Sequence, residues 1–402
     1  MTDKKQADRL ILLCTVCYVV SYLTRINFGA VISEMELATG FARTALSAAV
    51  TASFISYGAG QLLSGVLAEC IAPKTLVLTG LLCTGAVNLL LPLCKSAAAM
   101  VCCWCVNGLA QAMFWPPIVG LLAGRLSDED YARASVTVVR GSSFGTIGIY
   151  LLAPFFIRVG SWKTVFRFCG SCALLMSAAW QLCCPGGKTA AAPRSSDAQT
   201  DAVQKKGLFS PLLFAVMAAV VLQGALRDGV TTWMPTFIAE SFGMGSEAAI
   251  LSGVVLPLFS ILCFQLAFRL YRNRLPHPLK CAGVIFAAGA LCALALFAVG
   301  TATPLLSVPL TALLAGCMHG VNLMLISFLP PCFARRHGSA AVVSGLFNSC
   351  VYIGSSLSTY GIAVLSAEFG WRGTLFVWFL IAAAGTAVCF GCVKPWNRSY
   401  RV

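Results

Sequence analysis

What most constrains this chain is a series of twelve apolar runs, each close to the about 20 residues that a helix needs to cross a bilayer. They fall at roughly 10–32, 44–68, 75–94, 97–124, 134–157, 164–184, 209–239, 247–271, 279–300, 304–333, 339–366 and 373–393. In hydrocarbon every backbone N–H and C=O must be satisfied within the chain, so only helices or closed barrels can span it. The runs are too long for strands and show no alternation. The predicted fold class is therefore an all-α membrane protein with twelve transmembrane helices. Composition agrees: only 10% of residues are charged, against about 25% in soluble domains. An ordinary soluble enzyme, a disordered chain and a nucleic-acid-binding module are excluded. The polar start, residues 1–9, leads into a run of spanning length without a small-residue cleavage site, so the first span is expected to stay in the mature protein.

The net charge of +14 gains meaning from where the cations lie. Nineteen of the 28 Lys and Arg residues fall on the amino-terminal side of the first span, in every second loop, or at the carboxyl terminus, among them Lys4, Lys5, Arg9, Lys74, Arg125, Lys205, Arg272, Lys280, Arg335 and Lys394. Five lie in the opposite loops. Cytoplasmic loops carry the excess of Lys and Arg, so both termini and the central linker are expected in the cytoplasm, in a cell (inner) membrane. The 20 cysteines sit almost wholly inside apolar runs, where a free thiol packs as a small hydrophobe. Cys169–Cys172 and Cys389–Cys392 have CxxC spacing, but no loop or histidine beside them supports a metal or redox site. No cofactor and no metal is expected.

The two halves echo each other. The fourth span ends in Trp115-Pro116-Pro117 and the tenth in Leu329-Pro330-Pro331; Gly160-Ser161-Trp162 opens the sixth and Gly370-Trp371 the twelfth. An offset of about 210 residues relates these pairs, which points to a parallel duplication of a six-helix unit, an architecture common among secondary transporters. The expected organisation is a bundle over 1–185, a polar linker over 186–208 and a second bundle over 209–402. Both proline pairs should kink or end their spans.

Four arginines lie within spans: Arg25, Arg140, Arg167 and Arg227. An arginine at a helix centre costs about 2.5–3.5 kcal/mol on insertion scales, so a chain keeps one there to meet a partner, water or a ligand. Arg25 in the first span and Arg227 in the seventh occupy comparable places in the two halves. Two guanidiniums suit a dianion, because the planar fork stays charged and matches phosphate oxygens. Asp228 is adjacent to Arg227, but consecutive helix residues point about 100° apart and are expected to align poorly. Three roles are open to Asp228: proton carrier, counter-ion to Arg140 or Arg227, or pore-lining polar group. Arg140 faces either a cavity or, by snorkelling, the cytoplasmic interface. Arg167 is expected to snorkel outward. His319 is a packing residue or a proton relay. Tyr18 and Tyr22, one turn apart, share a face within two turns of Arg25.

These strings resemble the organophosphate:phosphate antiporter family of the major facilitator superfamily. Tyr18-x-x-x-Tyr22-Leu-x-Arg25-x-Asn-Phe is similar to its first-helix signature. Asn107-Gly108-x-x-Gln111-x-x-x-Trp115-Pro116-Pro117 is its most specific string, and Leu226-Arg227-x-Gly229-x-x-x-Trp233-x-Pro235-Thr236 matches its seventh helix. Gly65-x-Leu-Ala-Glu69 is a degenerate form of the superfamily's loop motif. The resemblance implies the major facilitator fold, phosphate bound by Arg25 and Arg227 with Tyr18 and Tyr22 nearby, and rocker-switch exchange for inorganic phosphate. It adds Asn107, Gln111, Trp115 and Trp233 as substrate-binding candidates beside Arg140, Asp228 and His319. The sequence departs from the family at Ile26, where members often carry lysine, at Gln61, where some carry lysine, at Ser143, where the glycerol-3-phosphate branch carries histidine, and at Arg140, where they are usually uncharged.

The expected function is thus secondary transport of a small phosphorylated or dianionic metabolite, with alternatives in a proton-coupled organic-anion carrier using Asp228 or His319 and a sugar-phosphate-sensing receptor. The expected partners are the anionic substrate, inorganic phosphate and the lipid bilayer, without nucleic acid, and the expected state is a monomer. No nucleophile–base pair or phosphate-binding glycine loop suggests an enzyme.

Overall fold

The computed structural model describes residues 4–41, 43–185, 210–243, 255–299, 303–337 and 340–399. Among these, twelve helices are long and apolar enough to cross a membrane: Lys4–Ala30, Ala48–Cys70, Pro73–Leu93, Ala97–Ala123, Asp128–Val159, Trp162–Cys183, Pro211–Met234, Val255–Asn273, Pro278–Val299, Pro304–Ala334, Ala340–Ser358 and Glu368–Ser399. They match the twelve predicted runs in order, and the fold class is as expected. The predicted linker over 186–208 and the start of the predicted eighth span lie outside the described residues. The fifth span begins a turn and a half before its apolar run, and its local chemistry explains why. Ser127 accepts a hydrogen bond from the Asp130 N–H at 3.2 Å, and Asp128, Glu129 and Asp130 occupy the first turn, where the helix dipole favours negative charge. Ser96 and Ser210 cap the fourth and seventh spans in the same way.

Both proline pairs break their helices. The fourth span is interrupted between Ala112 and Trp115. Pro116 has no N–H for the carbonyl four residues earlier, that of Ala112, and the Gln61 amide supplies a donor to it at 3.3 Å. In the tenth span the turn over Leu323–Phe328, just before Pro330, widens to a π-helix. A π-bulge rotates the register of the side chains around it and recurs at functional sites.

The duplication shows in how spans pair. The chain divides into two compact units, Met1–Gln199 with Phe333–Ser349, and Thr200–Cys332 with Cys350–Val402. In the first unit the first span packs on the fifth, the second on the fourth and the third on the sixth. In the second unit the seventh packs on the eleventh, the eighth on the tenth and the ninth on the twelfth. Glycines permit the close approach. A Cβ on Gly145 would lie 2.7 Å from the Tyr22 Cβ, and one on Gly354 would collide with the Val221 carbonyl. Within the first unit, Ser349 donates to the Gly58 carbonyl at 2.8 Å, which ties the start of the eleventh span to the second.

Aromatic stacking fills the first unit's core. Phe28, Trp104 and Phe166, all buried, meet with ring centroids 5.1 to 6.0 Å apart, and so join the first, fourth and sixth spans. Large apolar side chains such as Leu151, Leu175, Leu182 and Leu291 point outward, each more than 65% exposed. A patchwork of this kind suits lipid rather than water.

Gly354→Val should therefore lower stability by about 1–3 kcal/mol, because the branched side chain meets backbone that cannot yield. Gly391→Ala, where nothing lies within 4 Å, should stay within about 0.5 kcal/mol of the parent. Thermal unfolding in detergent compares the two.

Candidate functional site

In the first unit, Arg25 sits among aromatic rings. Its guanidinium carbon is 4.0 Å from the Tyr57 ring centroid, 5.5 Å from that of Tyr22 and 5.8 Å from that of Phe54. Ring faces attract a desolvated guanidinium by about 2 kcal/mol or more. Tyr18 continues the cluster, 5.3 Å from Tyr22 and 5.3 Å from Trp115. Four residues chosen from the sequence, Tyr18, Tyr22, Arg25 and Trp115, are thus brought together. The buried indole N–H of Trp115 has no hydrogen-bond acceptor among the described residues. Phe54 and Tyr57 were not anticipated; their spacing of three on the second span was the available signal.

Arg140 lies on the fifth span beside Gly141, whose Cα packs against Thr15 and Val19 of the first span. That contact sets Arg140 at the level of Tyr18. Its Nε is buried without a hydrogen-bond partner among the described residues. Arg167, near the start of the sixth span, is exposed.

Asn107 and Gln111 belong to a different arrangement. Both are buried, at 0% and 3% exposure, in a polar network joining the first, third and fourth spans. Asn107 donates to the Thr24 carbonyl at 3.1 Å and accepts from the Thr84 hydroxyl. Gln111 donates to the hydroxyls of Thr24 and Thr84 at 2.8 and 3.0 Å. Asn88 donates to the carbonyls of Thr84 and Thr24 and accepts from Asn27 at 2.7 Å. The Asn27 side-chain oxygen in turn takes the Phe28 N–H. These amides hold helices together one residue behind Arg25, and their polar atoms face one another.

In the second unit, Arg227 and Asp228 form a side-on pair. Nε donates to Oδ1 at 2.6 Å and Nη2 to Oδ2 at 2.8 Å. The sequence-based expectation of poor alignment is corrected here. Backbone vectors 100° apart do not prevent contact when one partner is as long as arginine, because its side chain curls back along the helix. Nη1 donates to Asn322 Oδ1 at 3.1 Å, and the Ser355 hydroxyl donates to Asp228 Oδ2. Three spans, the seventh, tenth and eleventh, therefore converge on one ion pair. The Arg227 side chain is 15% exposed and that of Asp228 is 29%, so the pair is largely but not wholly withdrawn. Asn322 is the last residue before the π-helical turn of the tenth span. Ser355 was missed in the sequence, where nothing distinguishes it from Ser356 and Ser358.

His319 lies one turn before Asn322 on the tenth span and packs edge-on to Phe264, 5.4 Å between centroids. Arg227 and Asp228 both act on its ring electrostatically. Trp233 sits further along the seventh span, 6.5 Å from the Trp371 ring. Trp371 in turn donates to Glu240 at 2.8 Å. Among the described residues no group of three or more His, Cys, Asp or Glu side chains is arranged to hold a metal ion.

Twelve spans in duplicated pairings, with arginines inside them, define a polytopic membrane carrier. The Major Facilitator Superfamily model matches residues 14–359, and the chain belongs to that superfamily; it is a membrane transport protein rather than an enzyme. It is 26% identical to a glycerol-3-phosphate transporter of Bacillus subtilis, over 96% of this chain and 91% of that one. It is 23% identical to the membrane sensor protein UhpC of Escherichia coli, over 96% and 94%. Among solved structures it is similar to the proton:xylose symporter XylE, with a TM-score of 0.75 at 12% identity, covering 99% of this chain and 96% of that one.

Asn107→Ala should reduce stability by about 1–3 kcal/mol, because it strips the buried Thr84 hydroxyl of its acceptor and the Thr24 carbonyl of one of its two side-chain donors. The loss should appear as a lower unfolding temperature in the absence of any ligand, which separates this residue from one that only touches substrate.

Proposed function

We propose that this protein carries a small phosphorylated metabolite across the cell membrane in exchange for inorganic phosphate, with Arg25 and Arg227 receiving the phosphate group. The observation that carries the reading is the Arg227 fork. A guanidinium within a span presents its side-on edge to a carboxylate at 2.6 and 2.8 Å, the geometry that also fits two phosphate oxygens. Asn322 braces the fork from the tenth span, so a phosphate that displaces the Asp228 carboxylate meets donors already oriented. Arg25 adds a second permanent cation, and Tyr18 and Tyr22 add hydroxyls on the same face of the first span. Arg140 is a third cation for the same ligand. The names of the relatives agree with this class of substrate. In the proposed cycle one site opens alternately to either face of the membrane, in a monomer with both termini in the cytoplasm.

A second reading is a receptor that binds a phosphorylated sugar without carrying it, favoured by the likeness to a membrane sensor over nearly the whole chain. The two readings share a binding site and differ in flux.

Purified protein in liposomes loaded with phosphate should take up labelled phosphate by exchange. Arg25→Ala and Arg227→Ala should each lower that exchange by about a hundredfold or more, the scale of a charge-assisted contact of about 3 kcal/mol. Full exchange in both variants overturns the reading. Binding of phosphate without exchange supports the receptor instead.

A further inference from the structure

We infer that Asp228 is a tethered counter-anion that lets the empty carrier return, so that this protein performs net transport and not only strict exchange. The inference rests on the proposed phosphate site at Arg227 and concerns what happens when that site is vacant.

A carrier that reorients without ligand must take its binding site through a state closed to water on both sides. A guanidinium without an anion resists that step, since an unmatched charge in a low-dielectric interior is strongly disfavoured. Where phosphate is the only anion available, the empty form is held open and only exchange proceeds. This chain carries its own anion. Asp228 meets Arg227 with two hydrogen bonds and is itself held by the Ser355 hydroxyl from the eleventh span. Asn322 on the tenth span adds a neutral contact to Arg227. Among the described residues His319, on the tenth span, is the other titratable side chain that acts on the pair. The pair of Arg227 and Asp228 sums to zero charge, so closure leaves the Arg227 guanidinium matched.

The position of Asp228 suits a reversible role. It is the next residue in the chain, so a phosphate that displaces the carboxylate leaves it within reach of the same fork. When the ligand departs, the carboxylate returns without diffusion. Asp228 is also only partly enclosed, at 29% exposure, which leaves it room to turn aside. Arg25 is met differently, by the faces of Tyr22, Phe54 and Tyr57, and these contacts need no ligand charge either.

The test compares two fluxes of labelled inorganic phosphate into proteoliposomes, with the membrane voltage clamped by equal potassium and its ionophore. One population is loaded with phosphate and reports exchange; the other contains none and reports net uptake. In the parent protein net uptake should lie within about tenfold of exchange. In Asp228→Asn the ratio of net uptake to exchange should fall about tenfold or more, whatever the absolute rates, because the empty Arg227 then loses its paired carboxylate. Asp228→Glu should recover much of the ratio. Exchange by the parent without net uptake overturns the inference and leaves the phosphate site standing. An unchanged ratio in Asp228→Asn also overturns it. If the parent shows neither flux, the transport reading itself fails. Exchange without net uptake in the parent overturns the inference even where Asp228→Asn does not reconstitute.

Discussion

An ionised side chain at the centre of a bilayer is disfavoured by at least about 2.5 kcal/mol, and this chain retains several. Its architecture can be read as the set of answers to that problem. Arg25 is faced by three aromatic rings from the first and second spans. Arg227 is met by the carboxylate of its own neighbour and by an amide from the tenth span. The Nε of Arg140 is buried with no acceptor among the described residues. The three solutions differ in what they leave for a ligand. Ring faces bring no charge of their own to Arg25, whereas a carboxylate occupies the edge of Arg227 that a phosphate would use. The two comparable arginines of a duplicated fold have thus become chemically unequal.

The same demand for satisfied polar groups shapes the scaffold around them. Pro116 frees the Ala112 carbonyl, and Gln61 supplies the missing donor. Behind Arg25, six polar side chains, Thr24, Asn27, Thr84, Asn88, Asn107 and Gln111, close their hydrogen bonds on one another. Such a network fixes the first span relative to the third and fourth and so fixes the base from which Arg25 projects. In the second unit the π-helical turn before Pro330 follows directly on Asn322, so the broken helix and the residue that orients Arg227 are adjacent. The helical irregularities lie where the site needs particular side-chain directions.

Much of the fold was legible because its signals are long. Twelve apolar runs, two proline pairs and the echo between Gly160-Ser161-Trp162 and Gly370-Trp371 survive errors of several residues, and the repeated pairing of spans agrees with the duplication they suggest. Site chemistry depends on single directions, which a sequence does not print. Asn107 and Gln111 stand in a string that reads as ligand-facing, yet both are turned into the helical network. Ideal helix angles make Asp228 a poorly aligned partner for Arg227 and leave its role open, because they ignore how far an arginine side chain reaches. Phe54, Tyr57 and Ser355 lack any charge to single them out in an apolar span; only the packing of neighbouring helices shows what they touch.

The central claim is that Arg227 presents a preorganised fork for an anion, and not merely a positive charge. The most direct measurement is the affinity of purified protein for inorganic phosphate by calorimetry, in the parent and in Arg227→Lys. Lysine keeps the charge and loses the paired, planar donors. The account predicts that affinity falls by about tenfold or more, as loss of a bidentate charge-assisted contact requires. Phosphate affinity in Arg227→Lys equal to that of the parent would contradict it.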